Sequence, residues 1–169
     1  MKLYEKIVKD PIQVFRRQWN ADGRGRLIEG LRNDDTAFSG DFGQVYVTTI
    51  KPHTIKAWHL HESAKSPQID RMMLLRGTVR FVAAVDVGTP SPTAEKIRAD
   101  VRLDFVVSDF DPYLIVIPPD MYHGFQNLGD EEAYILNVPT EAYNRESPNE
   151  RRLDPYGILD FPWEISLDG

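Results

Sequence analysis

The sequence predicts an all-β protein closed into a jelly-roll barrel. Three observations carry this: many short strand-like runs with turn residues between them, two separated histidine clusters, and no repeat, low-complexity segment or domain-scale linker. Residues 1–20 hold mixed charge, with Ile12–Arg16 as a short strand. Asp22-Gly23-Arg24-Gly25 is a turn leading into a second short strand, Arg26–Glu29, and Asn33–Phe42 reads as a loop. Strands then follow quickly over Gln44–Ile50, Lys56–His61, Arg71–Arg76 and Val79–Val87, with Gly77-Thr78 turning the third into the fourth. Thr89–Thr93 contains two prolines, which lack the donor a ladder needs, so it is a loop. Lys96–Val107 alternates well enough for one or two strands, and Tyr113–Ile117 is a β-branched apolar run. Phe125–Leu128 and Tyr134–Val138 flank Gly129-Asp130 and read as a hairpin whose tip is Glu131-Glu132. The polar tail over Asn144–Asp154 reads as helical or irregular, and the segment beyond it runs through Leu159-Asp160-Phe161-Pro162-Trp163.

At 169 residues the expectation is one domain over 1–169, with the barrel core at about 44–140. The net charge of −6 argues against a nucleic-acid partner, because phosphate binding needs a basic surface. No apolar run approaches the ~18 residues of a membrane span, and Met1–Lys6 lacks the apolar core of a signal peptide. With no cysteine there is no disulfide, thiolate metal site or Cys nucleophile. A cytoplasmic location is the default, and any metal would be held by imidazole and carboxylate.

The first histidine cluster is Trp58-His59-Leu60-His61, followed by Asp70 and Gly77. Strand alternation puts His59 and His61 on one face. The second cluster, Pro118-Pro119-Asp120-Met121-Tyr122-His123-Gly124-Phe125-Gln126-Asn127, has the spacing Pro-x-x-x-x-His-x-x-x-Asn. Together and in this order they resemble the two half-motifs of a cupin, which implies a double-stranded β-helix, here with short N-terminal strands and a short helical or irregular C-terminal tail.

From about Asp22 to Trp163 the chain resembles the dTDP-4-dehydrorhamnose 3,5-epimerase family. Asp22-x-Arg24-Gly25-x-x-x-Glu29 resembles its nucleotide-binding segment, and Gln44 stands where the family has a Gln ahead of the catalytic histidine. Lys56-Ala57-Trp58-His59 lies where the family has Arg-Gly-Leu-His. Val85-Asp86-Val87 with Ser91-Pro92-Thr93 resembles a family strand and loop, and Ile117-Pro118-Pro119-x-x-x-His123-Gly124-Phe125 its barrel motif. Tyr143-Asn144 resembles the segment bearing the catalytic tyrosine, and Asp154-Pro155…Asp160-Phe161-Pro162 the C-terminal signature. Three positions depart: Asp70 replaces the lysine that stabilises the enolate, Lys56 replaces an arginine, and the aspartate that pairs with the catalytic histidine has no match through Gly169.

The resemblance implies a homodimeric enzyme acting on a dTDP-4-keto-6-deoxy sugar without a cofactor. His59 would be the base that removes a proton next to the ketone and Tyr143 the acid that returns one. Arg24, Glu29, Gln44, Lys56, Asp70 and His123 would bind substrate. A carboxylate beside a forming enolate is unfavourable, so Asp70 must turn away, be protonated, or be neutralised by Lys56, Arg71 or a metal. One rival is a metal-dependent cupin enzyme of dioxygenase or isomerase type, with a divalent transition metal on His59, His61, Asp70 and His123. Another is a cupin that binds a sugar nucleotide without catalysis. Simpler expectations stand beside these. His61 hydrogen-bonds a carbonyl of a neighbouring strand, His53 is a solvated loop residue, and Tyr143 is a packing aromatic. Arg24 and Glu29 form a surface pair, and Met72–Leu75 is barrel core and interface. Tyr156, Phe161 and Trp163 cover a barrel end or a partner subunit.

Overall fold

Residues 2–38, 40–65, 67–88, 99–157 and 159–166 are described by a computed structural model. Among them are fifteen strands and no helix. The strands are β1 (Lys2–Leu3), β2 (Ile7–Val8), β3 (Gln13–Arg16), β4 (Trp19–Asp22), β5 (Gly25–Ile28), β6 (Tyr46–Ile50), β7 (Ile55–His61) and β8 (Asp70–Arg76). They continue with β9 (Thr78–Asp86), β10 (Ala99–Ser108), β11 (Tyr113–Ile117), β12 (Tyr122–Asn127), β13 (Ala133–Asn137), β14 (Glu150–Arg152) and β15 (Ile165–Ser166). Two antiparallel sheets face each other. One has the order β14-β7-β12-β9-β10-β2, the other β3-β11-β8-β13-β6. Pairing by β2, β3 and β14 extends the sheets beyond residues 44–140.

The core lies between the sheets. Met72, Leu74, Phe81, Ala83, Leu103, Phe105, Ile115, Ile117, Phe125 and Ile135 are buried there together. Alternation explains β7: His59 and His61 face inward, while Trp58 and Leu60 point out and are covered by Leu159, Phe161 and Trp163. Trp58 and Phe161 meet edge to face at 5.6 Å. The C-terminal segment is fastened by buried Arg80, which donates to the carbonyls of Pro162 and Trp163 and forks onto Asp104 at 2.7 Å twice. Phe161 and Trp163 thus cover a sheet face, whereas Tyr156 is exposed.

Two expectations are corrected. Phe125–Leu128 and Tyr134–Val138 do not form a hairpin: β12 lies in one sheet and β13 in the other. Asn127 makes the corner between them, its side-chain amide donating to Ile50 and Glu131 carbonyls while its oxygen receives the Gly129 N–H. Both segments carry inward apolar residues, which alternation alone assigns to a shared face but not to a shared sheet. Gly77, at φ +104°, likewise turns β8 out of one sheet and into the other as β9. The stretch 144–154 contains β14 and no helix, because its backbone pairs with β7. Of the one or two strands expected over Lys96–Val107, the described part is a single strand, Ala99–Ser108, with an irregular register between Val101 and Leu103. Residues 89–98, including the Thr89–Thr93 loop and Ser91-Pro92-Thr93, lie outside the described residues. No helix among the described residues is long and apolar enough to cross a membrane.

Candidate active site

A cavity of about 380 Å³ opens between the sheets near the β14 edge. Gln44, Lys56, His59, His123 and Tyr143 all line it, as does His61. Arg24 and Glu29 do not. Arg24 folds back on Asp22 within the β4–β5 hairpin and Glu29 pairs with Arg32, so the single chain does not bring them to the cavity. The simpler expectation of an Arg24–Glu29 surface pair also fails, since each has a nearer partner.

Two strands position the imidazoles. His123 on β12 stands opposite His59 on β7, and His61 follows His59 on the same face. The His123 ring stacks at 5.8 Å from His59 and 5.7 Å from His61. His123 is buried; its Nδ1–H donates to the Met121 carbonyl at 3.1 Å. Burial lowers its pKa to about 4, with Asp70 acting the other way, so the ring is neutral near pH 7 and Nε2 carries a lone pair.

His59 is engaged differently. Its Nδ1 bonds the Glu150 carboxylate, which β14 carries alongside β7. Glu150 also accepts from Arg152 Nε at 2.8 Å and Nη2 at 2.7 Å. Burial works to raise the Glu150 pKa, but the hydrogen bonds from His59 and Arg152 outweigh it and hold it at about 2. A fixed carboxylate on Nδ1 leaves His59 Nε2 as the basic nitrogen. Tyr143, on the segment leading to β14, stands at the exposed rim. The Lys56 ammonium donates to Thr48; burial and the Arg152 charge lower its pKa against the pull of Glu150.

Asp70 departs from expectation. It is buried beneath the imidazoles rather than lining the cavity, so it is not placed to touch substrate. Its Oδ1 accepts from Gln68 at 2.9 Å and Asn137 at 2.8 Å. Its Oδ2 faces His61 Nε2 at 3.4 Å and His123 Nε2 at 3.3 Å. Neither Lys56 nor Arg71 neutralises it; Arg71 leaves the opposite side of β8 for the Val138 and Asp41 carbonyls. His61 hydrogen-bonds Gln68 rather than a carbonyl, and His53 is exposed beside Asp130. Met72 and Leu74 are core, as expected.

Glu150, Arg152, Gln68 and Asn137 complete the site without having been singled out in the sequence. The alternation of Glu150 and Arg152 was a usable signal, hidden by reading that stretch as helical or irregular.

The family model described as dTDP-4-dehydrorhamnose 3,5-epimerase matches residues 8–167. The chain belongs to this family. Its members being epimerases, the chain is an enzyme of the isomerase class with a nucleotide-sugar epimerase function. A relative in Haloferax volcanii, the probable low-salt glycan biosynthesis epimerase Agl13, is 32% identical over 160 residues, 94% of this chain and 96% of its own. Among solved structures, a dTDP sugar isomerase from Desulfovibrio desulfuricans superposes with a TM-score of 0.73 at 22% identity, covering 92% of both chains. ChmJ, a 3'-monoepimerase from Streptomyces bikiniensis in complex with dTDP-quinovose, gives 0.67 at 20% identity over 92% of this chain and 77% of its own. These two likenesses establish the jelly-roll fold of the family member.

Proposed function

We propose that the chain epimerises a dTDP-linked 4-keto-6-deoxy sugar at one or both carbons beside the ketone. What carries this reading is the shared cavity: His59, backed by the Glu150 carboxylate, and the Tyr143 phenol open onto the same space. His59 Nε2 takes the α-proton, the C–H electron pair moves onto the keto oxygen, and the Tyr143 O–H delivers a proton to the other face of the same carbon. Glu150 stabilises the imidazolium as it forms and holds the ring, the role the family gives to an aspartate. Solvent then restores the two protonation states. These transfers need no redox cofactor, and a chain without cysteine suits a reducing, cytoplasmic location.

The nucleotide end is assigned to two copies acting together. Among the described residues the β4–β5 hairpin pairs with no other strand, and Leu27 on it is 61% exposed. The edge strand β6 and the loop before it also expose Phe42, Val45 and Val47. A homodimer that covers these surfaces would carry Arg24 and Glu29 of one copy to the cavity of the other.

Incubating the keto sugar in heavy water tests the reading. Deuterium should enter at a flanking carbon; His59→Asn should cut exchange by about 10²–10⁴, and Tyr143→Phe should slow inversion more than exchange. Exchange undiminished in His59→Asn removes it as the base, and no exchange in the unmodified protein with dTDP still bound leaves a binding protein. Mixing inactive Arg24→Ala and His59→Asn chains should restore activity, since a mixed dimer has one intact site. No recovery would overturn the shared site.

A further inference from the structure

We propose that His61 Nε2, Asp70 Oδ2 and His123 Nε2 form a divalent transition-metal site in the floor of the cavity. The inference rests on the epimerase reading only for what the ion would do, not for whether it binds.

The three side chains are buried, and their ligand atoms lie within 4.8 Å of one another. Two donors each about 2.1 Å from a tetrahedral ion stand roughly 3.4 Å apart. The Oδ2–Nε2 separations are 3.3 and 3.4 Å, the spacing of neighbours around one ion.

Proton accounting points the same way. The Met121 carbonyl accepts from His123 Nδ1, so the neutral tautomer of that ring presents Nε2 to Oδ2 as a lone pair. The Gln68 amide is oriented from both ends: its oxygen accepts from Asn149 at 3.1 Å and its nitrogen donates to Asp70 Oδ1. That same nitrogen is 3.0 Å from His61 Nε2, which is therefore an acceptor too. Carboxylate oxygen and two imidazole lone pairs then face one another with no hydrogen between them. The remaining nitrogen of His61, Nδ1, is buried with no hydrogen-bond partner among the described residues. Such a set is costly in a low-dielectric interior and becomes favourable around a cation. The carbonyl on His123 Nδ1 is the outer support that metal-bound imidazoles use. An ion taken up here displaces the Gln68–His61 contact and leaves the Gln68 and Asn137 bonds to Oδ1 in place.

His59 is not in the set. The mutually close ligand atoms among the described residues are those of His61, Asp70 and His123, three of the four expected from the sequence, and His59 Nε2, with Glu150 on Nδ1, stays available as the base. The family lysine that would sit beside the enolate is Asp70 in this chain. A divalent ion on that carboxylate would return positive charge to the same floor.

The test uses chelator-stripped full-length protein titrated with Zn²⁺, and with Co²⁺ as a spectroscopic probe. One Zn²⁺ per chain and a Co²⁺ visible spectrum of low coordination number are expected. Loss of an outer support typically weakens metal binding 10–100-fold; His61→Ala, His123→Ala and Asp70→Asn, each removing a ligand, should exceed that, while His53→Ala should change nothing. Asp70→Asn keeps the shape and places an amide donor against the two lone pairs. Its metal-free Tm should therefore equal or exceed that of the unmodified protein, and Zn²⁺ should no longer raise it. A stripped protein that binds no Zn²⁺, binding unchanged in Asp70→Asn, or a metal-free Asp70→Asn that melts well below the unmodified protein would each overturn the site. Deuterium exchange separates the two proposals: exchange at full rate in protein that binds no Zn²⁺ sinks the metal site alone, whereas stoichiometric Zn²⁺ without exchange sinks the epimerase reading alone.

Discussion

The His59–Glu150 pair joins residues 91 positions apart and decides whether the imidazole can act as a base. A hydrogen bond to a charged partner contributes about 1.5–3 kcal/mol. Glu150→Gln should therefore lower kcat/KM by roughly 10–150-fold while leaving dTDP binding nearly unchanged. Equal kcat/KM values for the two proteins would remove Glu150 from the mechanism. The same carboxyl links folding to pH. Its pKa in the fold is about 2, against an ordinary 4.5. The folded state thus binds fewer protons than the unfolded chain in this interval, and stability rises with pH. The contribution is fully present above pH 4.5 and is lost as pH falls through about 2. Urea midpoints of the unmodified protein should fall across that window more steeply than those of Glu150→Gln; parallel profiles would contradict the linkage. The imidazole face was legible in advance, because alternation within a strand is local. Glu150 was not, because its meaning comes from a partner strand distant in the chain. Asp70 was legible as a departure from the family but its depth was not, since two separate amides, Gln68 and Asn137, draw it beneath the histidines.

Strand β12 sits between β7 and β9, and Gly124 lies where β12 crosses β7. A Cβ there would overlap Ala57 Cβ and stand 3.0 Å from Ala57 Cα and 3.2 Å from the Lys56 carbonyl oxygen. Backbone cannot yield as a flexible side chain would, so the two strands must separate. Gly124→Ala should cost about 1–3 kcal/mol, lowering Tm by about 2–4 °C for each kcal/mol. Because His123 precedes it and His59 faces that residue, kcat should fall as well. A variant with unchanged Tm and activity would show that the crossing has slack. Most strands were legible to within a few residues, Tyr113–Ile117 to the residue, because turns and apolar runs are local. Pairing was not: the supposed hairpin of β12 and β13 fails because apolar pattern reports a buried face without saying which sheet supplies it.

As a whole molecule the chain is a sandwich whose interior is apolar at one end and polar at the other, and the fold class was legible from two half-motifs more than 40 residues apart. The nucleotide segment was legible as sequence but not as position, since Arg24 and Glu29 sit on a hairpin that leaves its own barrel. Strand β14 is three residues long and forms the outermost edge of its sheet. It also bears Glu150 and Arg152, and Tyr143 leads into it. It is held on one side only, by its pairing with β7, the Trp58–Leu153 backbone bonds of 2.8 and 3.0 Å, the Glu150–His59 bond and the Asn149–Gln68 bond beside it. Local opening of such an edge takes less free energy than melting the whole chain. Inactivation in urea should consequently run ahead of the collapse of the far-ultraviolet circular dichroism signal, with a midpoint at lower denaturant. Coincident midpoints would mean that the catalytic rim and the barrel melt as one body.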